Sequence, residues 1–181
     1  MTPVFHFFPK GGFGLETNTV CCFTGHRRIP DDVLPRVMAS LRREVLRLVR
    51  EEGIVRFLSG GAVGFDTIAA ETVLEIAADY PNVSLVIVRP CADQTRGWNA
   101  RDTARYEAIL ARARDVVTLE PAYRPGCMQA RNRYLVEHSA VCICYLTEPA
   151  GGTAYTVRYA ASRGVPVVNL APPEPDLLSG L

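Results

Sequence analysis

Hydrophobic and polar positions fall into blocks of two kinds along the chain. Short apolar runs, such as Val141–Tyr145, show no regular alternation of apolar and polar residues. Longer segments repeat apolar residues every three or four positions, most clearly over residues 31–52. The short runs are typical of strands covered on both faces, and the longer ones of helices with one buried stripe.

The two kinds of block alternate from one end of the chain to the other. Strands are predicted over residues 20–24, 55–58, 84–88, 116–119, 140–146 and 165–170. Helices are predicted over residues 31–52, 64–79, 100–113, 128–137 and 154–163. This order predicts an α/β fold: a doubly wound, mostly parallel, Rossmann-like sheet of about six strands with helices on both faces.

The same pattern predicts how the chain is divided. Residues 19–171 carry the alternation without a linker or an internal repeat, which indicates one Rossmann-like domain. Residues 1–18 are aromatic and contain glycine, and we interpret them as an irregular lead. Residues 172–181 are rich in proline and predict a loose tail.

Charge and cysteine usage restrict the partners and the compartment. The 20 Lys and Arg residues nearly balance 19 Asp and Glu, so no overall field attracts nucleic acid or a membrane. The sequence therefore argues against both partners. No apolar run approaches the roughly 20 residues of a membrane helix, and no signal peptide is evident near the start. Most of the six cysteines fall in predicted buried strands without C-x2-C spacing, which indicates a cytoplasmic protein and no metal site.

Candidate chemistry lies in three loops that follow predicted strands. The loops are Thr24–Arg28, Ser59–Asp66 and Pro149–Thr153. The carboxyl ends of parallel strands share one edge of the sheet, so these loops converge there. Glycines after a strand let the backbone approach a ligand, and the free amides of the next helix favour phosphate. Neither glycine pattern is a dinucleotide fingerprint or a Walker motif.

Several polar residues near these loops are open to more than one interpretation. Asp66 either caps the first turn of its helix or accepts hydrogen bonds from ribose hydroxyls. His26 lies in a loop, which favours a polar or ligand-facing role. Thr153 is predicted to cap its helix. Trp98, the one tryptophan, is either a base-stacking lid or a core residue.

Four stretches of the sequence resemble the YpsA-like branch of the SLOG superfamily. They are Cys22–Arg27, Ser59–Asp66, Arg131–Val136 and Gly151–Tyr155. The resemblance implies a Rossmann-like fold, kinship with the DNA-processing protein DprA and the LOG phosphoribohydrolases, a nucleotide-derived ligand, and a homodimer. Arg131 matches an Arg that acts on the N-glycosidic bond in LOG enzymes. The LOG glutamate, however, is replaced by Thr156 or Arg158, and neither can serve as a carboxylate acid or base.

These observations give three hypotheses. The first is a sensing or regulatory module that requires no cofactor and binds a small nucleotide-derived ligand such as NAD, ADP-ribose or a nucleoside monophosphate. The second is an enzyme that cleaves an N-glycosidic bond, with Asp66, His26 and Arg131 as candidate catalytic residues. The third is binding of single-stranded DNA, as in DprA. The predicted ligand-binding residues are Gly25, His26, Arg27, Ser59, Gly60, Gly61, Gly64, Asp66, Arg131, Asn132, Gly151, Gly152 and Thr153.

Overall fold

A computed structural model describes residues 17–171 of the protein. The predicted irregular lead lies outside the described residues except for Thr17 and Asn18, which begin a short 3-10 turn. The predicted loose tail lies wholly outside them. Within residues 17–171, no helix is both long and apolar enough to span a membrane.

Six strands and five helices alternate along the described chain. The strands are β1 (Val20–Gly25), β2 (Arg56–Ser59), β3 (Ser84–Cys91), β4 (Asp115–Glu120), β5 (Val141–Tyr145) and β6 (Val167–Asn169). The helices are α1 (Leu34–Glu51), α2 (Phe65–Asp79), α3 (Ala100–Arg112), α4 (Cys127–Glu137) and α5 (Gly151–Ser162). The predicted order of elements is confirmed.

The strands form one parallel sheet in the order β4-β3-β2-β1-β5-β6. The chain winds outward from β1 to β4, then crosses back to place β5 on the other side of β1. Helices α1, α2 and α3 pack on one face, whereas α4 packs on the other face with α5 beside it. The protein is therefore a doubly wound, Rossmann-like α/β fold, as the sequence predicts.

The sheet is covered on both faces because its side chains build two separate cores. On the first face, the buried stripe of α1 belongs to the same core as Phe23, whose ring contacts those of Phe57 and Phe65. On the second face, smaller residues such as Cys22 and Cys142 pack against α4. Buried apolar side chains on both faces explain why the strand sequences show no polar alternation.

Three element boundaries differ from those predicted by three residues, and most others by one or two; helix α1, for example, begins at Leu34 rather than at residue 31. Strand β3 continues three residues past Val88, because Arg89 and Cys91 pair with β4 on either side of Pro90. Helix α5 begins at Gly151 rather than Ala154, and Ala150 occupies its N-cap position. The predicted capping role of Thr153 is therefore wrong: this residue is buried in the first turn of the helix.

Candidate functional site

A cleft of about 390 Å³ opens at the carboxyl edge of the sheet. Its volume lies within the range of small-ligand pockets. The loops after β1, β2, β3 and β4 contribute to its walls together with the first turns of α4. The lining residues are Arg27, Ala62, Cys91, Asp93, Gln94, Arg96, Gly97, Trp98, Tyr123, Met128 and Arg131.

Arg131 is the most unusual residue of this cleft because its guanidinium is buried without a full set of partners. The residue is 7% exposed, and its Nε donates a 2.8 Å hydrogen bond to Oδ1 of Asn132. Its Nη1 has no acceptor among the described residues. Burial lowers the pKa of Arg131, although Asp66 opposes this effect. A buried cation with an unsatisfied donor favours an anion beside it.

Asp66 supplies the buried carboxylate of the site. It lies in the first turn of α2, as predicted, and is 5% exposed. Burial raises its pKa to about 6, while the charge of Arg131 and the Ala62 amide act in the opposite direction. Asp66 is therefore mostly ionised at pH 7 and supplies one negative charge beside Arg131.

The loop between β2 and α2 brings these two charges together. A Cβ atom on Gly60 would lie 1.8 Å from Nη1 of Arg131 and 2.7 Å from Oδ2 of Asp66, so only glycine leaves room for both. Gly61 donates its amide hydrogen to Oγ of Ser59 at 3.1 Å, and that hydroxyl donates to the Asp66 carbonyl. The amide of Gly61 is thus already engaged within the loop.

Two further glycines permit close packing of the backbone. A Cβ atom on Gly64, which has φ of +95°, would lie 2.4 Å from the carbonyl oxygen of Arg27. One on Gly25 would lie 2.4 Å from Cβ of Phe65. These glycines therefore accommodate the protein's own atoms and hold the loop after β1 against the start of α2.

The second glycine pair occupies a different place on the same edge. Gly151 and Gly152 begin α5 after β5, are exposed, and have no atom within 4 Å of an added Cβ. Neither glycine lines the cleft, nor does Thr153. The structure therefore brings Arg27, Gly60, Asp66 and Arg131 together and leaves the α5 turn apart from them.

His26 bridges the two sides of the sheet edge. Its Nε2 accepts hydrogen bonds from the backbone amides of Thr147 at 2.9 Å and Glu148 at 3.3 Å. Its carbonyl accepts the amide of Phe65 at 3.1 Å. His26 thus joins the loop after β5 to the start of α2, and it lies outside the cleft lining.

The loop between β3 and α3 supplies cleft residues that the sequence analysis did not assign. Gln94 donates from Nε2 to the Gly60 carbonyl at 3.0 Å, which ties this loop to the one carrying Asp66. Trp98 lies in the cleft wall and also packs edge-to-face on Tyr106, with ring centroids 5.4 Å apart. Trp98 therefore packs in part against the core, and its base-stacking role stays a prediction. The sequence feature that could have identified these residues was the position of their loop at the carboxyl end of a strand.

Thiol chemistry is not favoured in this cleft. All six cysteines are buried free thiols. Cys91 lines the cleft beside Asp93 and Cys127, and burial raises its pKa to about 12. Such a thiol is protonated at neutral pH and is a poor nucleophile. Within the described range 17–171, no cluster of three His, Cys, Asp or Glu side chains could hold a metal ion.

Comparison with known proteins identifies the family. The model of the YspA SLOG family, YpsA, matches residues 25–164, which include every cleft residue. The chain belongs to the YpsA family. A UPF0398 protein of Bacillus pumilus is 30% identical to this YpsA family member over 133 residues, which cover 72% of this chain and 71% of the relative. A UPF0398 protein of Bacillus thuringiensis is also 30% identical, over 131 residues.

Two solved structures share the fold of this YpsA family protein. DNA processing protein A (DprA) of Helicobacter pylori superposes with a TM-score of 0.60 at 22% identity, over 84% of this chain and 65% of that one. DprA of Streptococcus pneumoniae gives a TM-score of 0.61 at 19% identity, over 90% of this chain and 53% of that one. The chain thus spans less than two thirds of either DprA.

The expectation that nucleic acid is not a partner is contradicted by this comparison. The Helicobacter pylori protein, which shares the fold, has a described single-stranded DNA binding mode. Net charge was a poor guide because it averages over the whole surface. In this YpsA family member Arg27, Arg96 and Arg131 line one cleft with a single lining carboxylate, Asp93, so positive charge is concentrated locally even though the formal net charge is +1.

Proposed function

We propose that this protein binds the phosphate of a nucleotide in the cleft at the carboxyl edge of its sheet, as a sensing or regulatory module. The observation that carries the proposal is the buried guanidinium of Arg131, whose Nη1 has no acceptor among the described residues. Arg27 and Arg96 line the same cleft, and the carboxylates of Asp66 and Asp93 offset only part of the charge of the three arginines. A phosphate would compensate the charge and complete the hydrogen bonds of the guanidinium.

Free nucleotides are the first ligands to test, because the cleft has the volume of a small-molecule site. Nucleoside monophosphates, ADP-ribose and NAD all carry phosphate on a nucleoside, and we propose them as ligands rather than as required cofactors. We expect at least one of them to bind with measurable heat in calorimetry. Failure of all three classes to bind would contradict the free-nucleotide form of the proposal.

Arg131→Met tests whether the guanidinium carries the affinity, since it keeps the length of the side chain without its charge. We expect it to weaken binding by tenfold or more. Arg133→Met is the matched control, because Arg133 lies on the same helix and donates to the Tyr155 hydroxyl outside the cleft. Arg27→Met is a second variant at an exposed position, so it tests the same cleft if Arg131→Met fails to fold. Unchanged affinity in both cleft variants would refute the assignment.

Single-stranded DNA is the second candidate ligand, and the shared fold with DprA is the observation that favours it. The same phosphate site would then hold one nucleotide unit of a strand. Oligonucleotides that bind with affinity lost in Arg131→Met, while mononucleotides do not bind, would assign the polymer as the ligand.

Hydrolysis of an N-glycosidic bond receives less support. The Thr156 hydroxyl is buried and donates to the Gly152 carbonyl, and Arg158 donates to the Pro149 carbonyl. Helix α5 contains no Asp or Glu, so it presents no carboxylate to act as acid or base. Chromatography of the nucleotide incubations tests for products, and turnover abolished by Asp66→Asn would overturn a pure binding role.

A further inference from the structure

The cleft has an aromatic wall in addition to its arginines. Trp98, Tyr123 and Met128 line the same cavity as Arg27 and Arg131. Tyr123 is 60% exposed, and Trp98 is only partly buried. A site for phosphate alone has no need of such a surface, whereas a planar apolar group would be buried by it.

Trp98 is held in a fixed orientation. Its ring packs on Tyr106 at 67° between the ring planes. Tyr106 in turn lies so close to Gly61 that a Cβ there would be 2.6 Å from its ring. Because Tyr106 is buried and locked against this loop, the indole has a rigid support on one side and the cleft on the other.

The guanidinium and the ring that supports the indole lie against two neighbouring glycines. Arg131 contacts the position of Gly60, and the Tyr106–Trp98 stack begins at Gly61. The hydrogen bond from Gln94 to the Gly60 carbonyl fixes the Trp98 loop relative to this pair. Arg131 and Trp98 both line the cleft of about 390 Å³, so one bound molecule could contact the guanidinium and the indole together.

We propose that Trp98 is the stacking platform for a nucleobase, so the ligand is a base-bearing nucleotide rather than a sugar phosphate. The inference rests on the proposed function and extends it to the second half of the cleft. Stacking on an aromatic face tolerates every base, so this surface selects for the presence of a base and not for its identity. The same stacking would serve a free nucleotide or an unpaired nucleotide of a DNA strand.

Trp98 also reports on its own site, since it is the one tryptophan of the sequence. With excitation at 295 nm, all tryptophan emission comes from this cleft. We expect adenosine 5′-monophosphate to quench the emission and ribose 5-phosphate, which has the same phosphate and sugar without a base, to leave it nearly unchanged. An oligothymidylate and an abasic oligonucleotide of equal length form the corresponding pair for DNA.

Calorimetry on variants measures the contribution of the indole. We expect Trp98→Leu to weaken binding of the base-bearing ligand by about tenfold, a typical value for one base stacked on an aromatic ring. Affinity for the base-free partner should not change, and Trp98→Phe should restore part of the loss. Tyr159→Leu removes a ring outside the cleft and should have no effect.

The outcomes separate the inference from the proposed function. If base-bearing and base-free ligands bind equally well and leave the emission unchanged, the stacking role of Trp98 is refuted while the phosphate site stands. If no phosphate compound or oligonucleotide binds at all, the proposed function fails and the inference fails with it. Should Trp98→Leu not fold, the quenching comparison in the unaltered protein decides alone.

Discussion

At the scale of single residues, the site is organised around one carboxylate that folding makes harder to ionise. Burial raises the pKa of Asp66 to about 6 from an ordinary value of 3.8, despite the neighbouring Arg131. The folded protein therefore holds the Asp66 proton more tightly than the unfolded chain does. Stability from this group is fully present below about pH 4 and is lost as the pH rises through about 6.

We expect this loss of stability with rising pH to appear as a pH-dependent difference in unfolding free energy between the parent protein and Asp66→Asn. A rise in pKa from 3.8 to about 6 corresponds to roughly 3 kcal/mol of unfolding free energy. Relative to the parent protein, Asp66→Asn should therefore gain roughly 2–3 kcal/mol between pH 4 and pH 7. Urea denaturation at the two pH values measures the gain. Asp79→Asn, an exposed carboxylate on the same helix, is the control, and an equal pH dependence in all three proteins would contradict the prediction.

At the scale of elements, two glycines of the Ser59–Asp66 loop leave room for different neighbours. A Cβ on Gly60 meets the end of the Arg131 side chain, whereas one on Gly64 meets the backbone of Arg27 in a conformation with positive φ. A side-chain end can shift, but a backbone cannot do so cheaply. The same substitution at the two positions should therefore have different consequences.

We expect Gly60→Ala to weaken phosphate binding because the new methyl group displaces the Arg131 guanidinium, with the protein still folded. Gly64→Ala should instead lower the free energy of unfolding by at least about 2 kcal/mol, from strain at a positive φ and the backbone clash. Gly152→Ala meets open space in the first turn of α5 and should change neither property appreciably. Thermal melting and calorimetry measure the two effects. Equal losses of stability in Gly60→Ala and Gly64→Ala would show that the Gly60 methyl group does not act through Arg131.

The elements were predictable from sequence to the extent that their signals are local. Apolar runs located every strand because the sheet is covered on both faces. Helical periods located every helix because each helix buries one face against the sheet. Pro90 concealed the end of β3, because a proline that lies between two paired residues still permits a strand. Gly151 and Gly152 looked like a turn because glycine is a weak helix former, yet they form the first turn of α5.

The candidate site was less predictable because its contacts join residues that are far apart in sequence. The Ser59–Asp66 loop and Arg131 were assigned, but nothing local showed that Gly60 makes room for the Arg131 guanidinium. His26 was expected to have a polar or ligand-facing role, but nothing local showed that it would accept two backbone amides across the sheet edge. The cleft role of Gln94 depends on a hydrogen bond to a loop 34 residues away, which no sequence pattern reveals.

For the whole molecule, the distribution of charge over the surface matters more for anion binding than the net charge does. The formal net charge of +1 gives no long-range attraction for a polyanion. Helix α1, for example, carries several arginines, but Arg47 is paired with Glu44 and Glu52. Arg27, Arg96 and Arg131 form none of the ion pairs found in the described chain, and together they outnumber Asp66 and Asp93 at the cleft, which leaves net positive charge there to meet an anion.

This distribution predicts how binding of single-stranded DNA should depend on salt. Each phosphate contact contributes about −0.7 to the slope of log affinity against log salt concentration for single strands. Contacts from Arg27, Arg96 and Arg131 alone would give a slope of roughly −2, whereas a long basic groove would give a much steeper one. Arg96→Ala should make the slope shallower by about 0.7, and Arg43→Ala, on the exposed side of α1, should leave it unchanged. Fluorescence anisotropy of a labelled oligonucleotide measures each slope. Steep dependence that survives loss of the cleft arginines would place the DNA elsewhere on the surface, and the phosphate site would then have to be sought with free nucleotides alone.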